Sequence, residues 1–408
     1  MRKIEGVRIV WIRLCLVSLL LIILCSCTYS ISIDNFEEGT SAPILWNMTN
    51  LEKVRAGQEY SSIKDYYRQR ADKVLQKEFP TVVAEGKKYV NDPHYFYSIG
   101  RYMWPDSTNI NGPYISRDGH TNPEYNETDY FKLVALTNNL KDLSVAFYFT
   151  HDEKYYDALT QSLKVWFMDK DTYMYPNFSY AQICPGRNKN KGNPFGLIEA
   201  YIMIDILEAI RLVDTEKSLE TDVMKNVKLW FYKFGDWMQK DNLGKKERQA
   251  ANNHGVAYDV VLYSIADFVS EENVAKEVAD SFRVTRLCKQ IESDGSQPKE
   301  QVRNNAFDYS IYNLTHIVDF CIILEGKGIH YYEENKSIID SAFAYLWQYV
   351  GNEENFPYKE LRDWENVEGK LRNQTWRLKR LKGADLDFVP ESEKLKHSDS
   401  LTRHNLLL

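Results

Sequence analysis

Apolar residues recur at helical spacing along most of this 408-residue chain, and this pattern limits the possible fold more than any other feature. They stand three or four residues apart between Tyr130 and Phe149, and the pattern resumes after Asp152, a candidate helix cap. Gly326 and Gly351 stand where a helix-terminating glycine is expected. Amphipathic helices are therefore predicted here and, from the same period, over residues 197–213, 223–238, 257–269, 271–291, 309–324 and 337–350.

Segments that alternate apolar and polar residues are few, so little β-structure is predicted. Short connections between successive helices favour helical hairpins that pack side by side. We therefore predict an all-α fold in which residues 51–408 form a single domain. The charged residues 361–408 are predicted to contribute a last helix and a loose tail.

The first 26 residues are typical of a bacterial lipoprotein signal peptide. Basic residues precede an apolar run from Leu14 to Leu24, which is too short to span a bilayer comfortably. The Leu-Cys-Ser-Cys sequence that ends at Cys27 resembles a lipobox, with Cys27 as the lipidated residue. An ordinary signal peptide or a short signal anchor is the alternative. The interpretation predicts a lipoprotein of the cell envelope, periplasmic or outer-membrane anchored, with residues 27–50 as a tether.

Without the signal peptide the chain is strongly acidic. Residues 1–26 carry four basic side chains and one acidic side chain, so the net charge of −7 becomes −7 − 3 = −10. An acidic chain is a poor general binder of nucleic acid, and no nucleic-acid partner is expected. A polyanionic substrate would need positive charge concentrated in a groove.

The cysteines and histidines do not form a recognisable metal or disulfide pattern. After Cys27 only Cys184, Cys288 and Cys321 remain, and they lie far apart in the sequence. Buried free thiols are expected, with one incidental disulfide as the alternative. The eight histidines are scattered, so the sequence predicts no metal and no cofactor.

Two long segments without helical period, residues 91–126 and 169–194, interrupt the helices. Long irregular loops in a compact domain are usually functional or disordered. Both segments are rich in aromatic and basic residues, not in the polar repeats typical of disorder. We predict that these two loops form the walls of a substrate groove.

Two local patterns could carry chemistry. Asn252-Asn253-His254-Gly255 opens a predicted helix, where backbone N–H groups favour anions. Arg303 follows a turn and precedes Tyr309 by six residues. Taken alone, each has a structural alternative: an asparagine cap beside a core histidine, and a surface arginine near a tyrosine at the edge of the core.

Further motifs surround these residues and occur in one order over about 200 residues. They are Trp104-Pro105-Asp106, residues 112–119, Asn122-Pro123-Glu124, residues 173–177, Tyr180-Ala181-Gln182, Pro185-Gly186-Arg187, residues 196–199, 252–255 and 294–298, and Arg303 with Tyr309-Ser310. Together they resemble the alginate lyase superfamily of helical-toroid polysaccharide lyases. The spacings from His254 and Arg303 to Tyr309 are most similar to polysaccharide lyase family 38, with family 5 more distant.

The resemblance implies an incomplete (α/α) toroid with a groove across it. It also implies a polysaccharide lyase that cleaves a uronate-containing acidic polysaccharide, such as glucuronan or alginate, by β-elimination to give unsaturated uronate ends. The motifs carry over four active-site residues: Asn253, His254, Arg303 and Tyr309.

These residue types suit proton removal from C5 of a uronate. Asn253 and Arg303 can neutralise the carboxylate beside that weakly acidic proton. If the proton and the leaving oxygen lie on one face, Tyr309 could act as both base and acid, provided that Arg303 favours its phenolate form. If they lie on opposite faces, His254 could act as the base and Tyr309 as the acid. His254 is therefore predicted to be the base or a further neutraliser of the carboxylate. Neither scheme requires a metal.

Substrate-binding residues are predicted from the loops and from one helix. Tyr258, one turn after His254, could face the same cleft. Basic loop residues could contact carboxylates and aromatic residues could stack on sugars, and solvated charges or packed rings are the alternative. The loop candidates are Arg117, Arg187, Lys189, Lys191, Trp104, Tyr175 and Tyr180.

Two other functions stay open at this point. A glycoside hydrolase would need paired carboxylates across the scissile bond, and nothing marks Asp294 and Glu300 as such a pair. A non-catalytic glycan-binding lipoprotein would not need His254 and Tyr309, and both are present.

Overall fold

The computed structural model describes residues 32–83, 87–109, 111–396 and 400–408. Contacts divide the chain into two compact units. The first ends at Asn35, and its described part contains a 3-10 turn at Ile33–Asn35. The second unit comprises Phe36–Leu408. The predicted signal peptide and Cys27 lie outside the described residues, so the lipid anchor and the envelope location stay predictions.

The second unit is mainly helical, and its described helices are α1 (Met48–Ala56), α2 (Ser61–Val74), α3 (Asp129–Thr150), α4 (Glu153–Phe167), α5 (Met203–Glu216), α6 (Thr221–Lys240), α7 (Asn242–Arg248), α8 (Asn253–Phe268), α9 (Glu272–Phe282), α10 (Cys288–Gln290), α11 (Pro298–Gln301), α12 (Ala306–Glu325), α13 (Tyr331–Trp347), α14 (Trp364–Arg377) and α15 (Glu391–Lys396). A π-helical turn, Arg283–Leu287, joins α9 to α10. No helix among the described residues combines the length and apolar character needed to cross a membrane.

The helices pack in two layers. The inner layer consists of α3, α5, α8 and α12, in which each helix packs against the next. Outside it, α4 packs on α3, α6 on α4 and α8, α9 on α8, and α13 on α12. Helices α2 and α14 extend the two ends of the inner layer through contacts with α3 and α12. This arrangement confirms the predicted all-α fold of helical hairpins.

The α3–α4 hairpin shows how the sequence sets the packing. His151 adopts φ 53° after α3, and the Asp152 side chain then caps α4 by accepting a backbone N–H two residues on. Leu159, Leu163 and Trp166 recur at helical spacing and are fully buried. Burial of each such side chain contributes roughly 2 kcal/mol, which outweighs the modest helix propensity of the aromatic residues.

Two details of the predicted helices are wrong. The helix predicted from Leu197 begins as a 3-10 helix, Pro194–Ile202, and becomes α-helical only at Met203. Helix α12 ends at Glu325, directly before Gly326 as predicted, but Gly326 is right-handed with φ −62° and the left-handed glycine is Gly328 with φ 75°. Gly326 meets a different requirement, because a Cβ there would lie 2.4 Å from Ile44 Cγ2.

Short strands join the two predicted loops. Strand β1 (Tyr97–Ile99) pairs in parallel with β4 (Tyr180–Ile183), and β2 (Met103–Trp104) pairs antiparallel with β3 (Ile115–Ser116). The loops are further linked where the Gly100 N–H donates to the Ile183 carbonyl at 2.8 Å. These pairings give the long segments a fixed shape without regular helices.

The ends of the second unit pack together. Buried Glu208 of α5 accepts the backbone N–H groups of residues 44, 45 and 46 at 2.8, 2.7 and 2.9 Å, so part of the segment predicted as a tether is docked on α5. Asn47 donates to the Leu408 carbonyl at 2.9 Å, and Leu406 is fully buried. A loose tail is therefore wrong for residues 400–408, because Leu406 is buried in the domain and Leu408 is bonded to Asn47.

Candidate active site

The helix ends and the joined loops surround an open cavity of about 1030 Å³. Its walls come from both predicted loops, through the loop around residues 100–130 and Gln182 of β4, and from the segment 194–202, the α7–α8 junction, the α11–α12 junction and α14 with the segment before it. All four residues implied by the resemblance line this cavity: Asn253, His254, Arg303 and Tyr309. The predicted convergence of these residues is therefore present in the structure.

The Tyr309 hydroxyl, in the first turn of α12, lies between two partners. Arg303 donates from Nη2 to Tyr309 Oη at 2.9 Å, and its guanidinium carbon lies 4.0 Å from the Tyr309 ring centroid. Tyr102 Oη lies 2.9 Å from the same hydroxyl. Burial and the nearby Tyr102 raise the pKa of Tyr309, and this outweighs the lowering effect of Arg303. Tyr309 is thus a protonated phenol in the resting site.

Asp118 fixes the position of Arg303. Its carboxylate accepts hydrogen bonds from Arg303 Nη2 at 2.7 Å and Nε at 3.3 Å. Asn304 adds a backbone N–H to the Asp118 carboxylate at 3.2 Å and a side-chain N–H to the Asp118 carbonyl at 3.0 Å. A fork of this kind holds the guanidinium in one plane, so the loop before α3 sets the orientation of a cation that contacts Tyr309.

His254, in the first turn of α8, is held from the side of α7. Its Nδ1 lies 2.7 Å from the Glu247 carboxylate, whose side chain is 3% exposed. A carboxylate can only accept, so Nδ1 carries a proton, and in the neutral imidazole Nε2 is left as an acceptor. The His254 side chain is 19% exposed and lines the cavity. Glu247 therefore fixes the orientation of the His254 ring in the cavity wall.

Asn253 is fully buried but still reaches the cavity wall. Glu300 on α11 accepts its backbone N–H and its side-chain Nδ2, each at 2.6 Å. Because Glu300 takes one amide hydrogen, the Asn253 amide is held in one orientation with a second N–H available. Burial raises the pKa of Glu300, and the bonds from Asn253 oppose that rise.

Glu199 is a buried acid in the cavity wall. It accepts hydrogen bonds from the Ser98 hydroxyl at 2.6 Å and the Tyr125 hydroxyl at 3.0 Å. Burial raises the pKa of Glu199 to about 8, although both hydrogen bonds lower it. The carboxyl group is therefore mostly protonated at neutral pH and adds little negative charge to the cavity.

We expect Glu199 to make the stability of the protein depend on pH. Its pKa in the folded state lies above that of an unfolded glutamate, so its contribution is complete below about pH 4 and is lost as pH rises to about 8. Within this window the free energy of unfolding should fall by up to roughly 1.4 kcal/mol per pH unit. The free energy of unfolding, measured with denaturant from pH 5 to 8, should fall less steeply with pH for Glu199→Gln than for wild type. An exposed control, Glu38→Gln, should keep the wild-type slope, and parallel curves for all three proteins would contradict the assignment.

The predicted loop contacts lie outside the set of residues that line the cavity. Trp104 donates from Nε1 to the His120 carbonyl at 2.8 Å, with the Arg117 guanidinium carbon 5.2 Å from its ring. Tyr175 donates to Asp92 at 3.0 Å. Lys191 lies over the Tyr180 ring at 4.1 Å. Arg187 and Lys189 are exposed. Their roles in binding stay predictions.

The prediction for Tyr258 is wrong. Tyr258 is 3% exposed, and its hydroxyl donates to the Met238 carbonyl at 3.0 Å. Tyr258 does follow His254 by one helical turn. One turn further along α8, however, this side of the helix is covered by α6, so the Tyr258 side chain does not reach the cleft.

Several functional candidates were missed from the sequence. Tyr102, Glu247 and Asp118 each contact one of the four implied residues directly, namely Tyr309, His254 and Arg303, and Arg362 and Lys370 line the cavity from the C-terminal segment. Of these residues, only Asp118 could have been found from the sequence, because it lies within residues 112–119, one of the motifs that resemble the alginate lyase superfamily. Within the described residues, no group of three or more His, Cys, Asp or Glu side chains is arranged to hold a metal ion.

Comparisons with known proteins identify the family of this chain. The sequence model of the family "Alginate lyase" matches residues 83–356. The crystal structure of an alginate lyase from Bacteroides ovatus is 30% identical, with a TM-score of 0.81, and the match covers 90% of this chain and 99% of that one. No curated protein gives a significant match.

More distant structures share the fold. Alginate lyase A1-III from Sphingomonas species A1 is 15% identical with a TM-score of 0.53, and the match covers 86% of this chain and 92% of that one. A histidine-to-alanine variant of alginate lyase A1-III, complexed with a tetrasaccharide, is 16% identical with a TM-score of 0.53, over 87% and 93% of the two chains. The family match and the 30% identical structure together show that this chain is a polysaccharide lyase and belongs to the alginate lyase family.

Proposed function

We propose that this protein cleaves a uronate-containing polysaccharide by β-elimination, with alginate-like polymers as the first candidate substrates. One observation carries the proposal: an acid, a base and two carboxylate-binding groups line a single open cavity, namely Tyr309, His254, Arg303 and Asn253. The name of the Bacteroides ovatus relative supports alginate as a substrate. Glucuronan is the second candidate, on the motif spacing alone.

The first task of the site is to neutralise the substrate carboxylate. Arg303 is held by Asp118 and keeps further N–H donors on its guanidinium. The Asn253 amide, fixed by Glu300, has one N–H left to donate. Donors fixed in advance at the carboxylate stabilise the charge that develops when the C5 proton leaves, and they do not have to reorganise.

The second task is proton transfer. The base takes the proton from C5, and the electron pair of the broken C5–H bond forms the C4–C5 double bond. The C4–O bond breaks as this happens, and the acid protonates the departing oxygen. Tyr309 is protonated at rest and suits the acid role. His254, with its proton on Nδ1 facing Glu247, suits the base role on substrates that need opposite-face removal. For same-face removal, Tyr309 would have to lose its proton when substrate binds.

The hydrolase alternative has little support from the geometry. Glu300 is occupied by both bonds to Asn253, and Asp294 is an exposed turn residue that accepts the Ser296 backbone N–H at 2.9 Å. Neither carboxylate lines the cavity. They do not flank a common position, as a hydrolase pair must.

An ultraviolet assay tests the proposal. The protein is incubated with polymannuronate, polyguluronate, glucuronan and a glycosaminoglycan, while absorbance from a new C4–C5 double bond is followed. We expect rising absorbance on at least one alginate block. Reducing ends that form without absorbance would indicate a hydrolase, and binding without either product would indicate a glycan-binding protein.

A further inference from the structure

Helix α14 and the segment before it form one wall of the cavity. Arg362, Lys370, Asn373 and Gln374 all line it. The last three recur at positions that share one helix face. All four lie beyond residues 83–356, the part of the chain that matches the family model. The wall is therefore contributed by a part of the chain that the family model does not match.

The wall changes the charge of the cavity. Among the described lining residues, the cations besides histidine are Arg101, Arg303, Arg362 and Lys370. The lining carboxyl groups are Asp118, Asp308, Glu247 and the mostly protonated Glu199. Four cations thus face three carboxylates near neutral pH. Without the wall, only two cations would face the same three carboxylates. The C-terminal segment supplies the positive charge that a polyanion requires in an otherwise acidic protein.

The two cations pair with Asp308, the residue before Tyr309, in the same cavity wall. Lys370 Nζ lies 2.5 Å from Asp308 Oδ1, and Arg362 Nε lies 3.6 Å from Asp308 Oδ2. Asp308 directly precedes Tyr309 on α12. The Lys370 and Arg362 side chains are 47% and 41% exposed, and 3.6 Å is too long for a hydrogen bond. The guanidinium therefore keeps donors for a ligand in the cavity.

The neighbouring amides are suited to sugar hydroxyls. Gln374 Oε1 accepts a hydrogen bond from Arg377 Nη1 at 2.8 Å, and Arg377 is itself paired with Asp319 at 2.5 Å. This fixes the Gln374 side chain and leaves its N–H groups as donors. Asn373 is exposed beside it. Cations and amides in one row can hold the carboxylate and the hydroxyls of one sugar unit.

We propose that Arg362, Lys370, Asn373 and Gln374 form a subsite for a uronate unit next to the one that undergoes elimination. This inference rests on the proposed function. The alternative is that the two cations serve only to neutralise Asp308.

Binding of polymer to a catalytically silenced protein tests the subsite. In a Tyr309→Phe background, Arg362→Ala/Lys370→Ala should weaken the dissociation constant for the polyuronate by roughly tenfold, as expected for two half-exposed charged contacts. Lys382→Ala is the matched control, because Lys382 is an exposed lysine that pairs with Glu333 away from the cavity. It should bind as tightly as the background. Equal affinity of the double variant and this control would overturn the subsite.

A third substitution separates the two explanations. If the cations only neutralise Asp308, then adding Asp308→Asn to the double variant should restore binding to the level of Asp308→Asn alone. If they contact the polymer, the deficit should persist and should shrink as NaCl is raised. Lys370→Gln, a smaller change, repeats the test if the double variant does not fold. Because binding is measured without turnover, weakened binding can be found even when wild type eliminates nothing, so the two proposals fail separately.

Discussion

Tyr309→Phe should reduce turnover of a polyuronate by about 10³-fold or more, because loss of a positioned acid or base costs 10² to 10⁴ and this hydroxyl is the proposed proton donor to the leaving oxygen. The contact of the Tyr309 ring with the Arg303 guanidinium and the Arg303–Asp118 pair do not depend on the hydroxyl, and only the hydrogen bonds to the hydroxyl from Arg303 and Tyr102 are lost. We therefore expect the unfolding free energy to change by only about 1 kcal/mol. Initial rates by ultraviolet absorbance and denaturant unfolding of the same preparation measure the two effects.

Tyr102→Phe is the matched control for this substitution. Tyr102 donates to or accepts from Tyr309 at 2.9 Å, so its removal disturbs the same hydrogen bond without removing the proposed acid. Its effect on turnover should be at most roughly tenfold, the cost of one neutral hydrogen bond. If Tyr102→Phe were as inactive as Tyr309→Phe, the acid could not be assigned to Tyr309 alone. Near-normal turnover by Tyr309→Phe would remove that residue from the mechanism.

The helical layers and the four implied residues could be predicted because both depend on local sequence. Periodic apolar residues define each helix. Asn253, His254 and Tyr309 lie in the first turns of helices, and Arg303 lies in the short connection before α12. The contacts that orient them are not local. Asp118 and Arg303 are separated by 185 residues, and Tyr102 and Tyr309 by 207. Nothing in the period or the motifs indicates which loop residue meets which helix end.

Two failures show where spacing stops being informative. Tyr258 was predicted in the cleft because it follows His254 by one turn, but α8 is an inner helix and is covered on that face by the backbone of α6 at Met238. Glu247 precedes His254 by only seven residues, yet the break between α7 and α8 sets their contact. A helix periodicity does not extend across such a break, so the partner of the histidine could be found only from the structure.

His254→Ala should lower turnover by about 10² to 10⁴ on a substrate whose C5 proton and leaving oxygen lie on opposite faces, since Tyr309 cannot reach both sides of the sugar ring. The loss should be smaller on the block with both groups on one face, where Tyr309 can replace the base. Rates of wild type and variant on purified polymannuronate and polyguluronate give the loss of turnover on each block. The ratio of the two losses shows whether His254 acts as the base. Equal losses on both blocks would mean that His254 binds the carboxylate and is not the base.

Glu247→Gln also tests whether His254 is the base, because Glu247 is the hydrogen-bond partner of His254 Nδ1. Gln keeps the size of the side chain and can still accept from Nδ1, but it lacks the charge that stabilises an imidazolium when His254 takes a proton. We expect a loss of roughly tenfold, as for a charged hydrogen bond replaced by a neutral one, on the block that requires His254, and little change on the other. A carboxylate that only filled space would give no difference between the blocks. The block-dependent loss therefore separates a base held and charged by Glu247 from a histidine that the fold merely places in the wall.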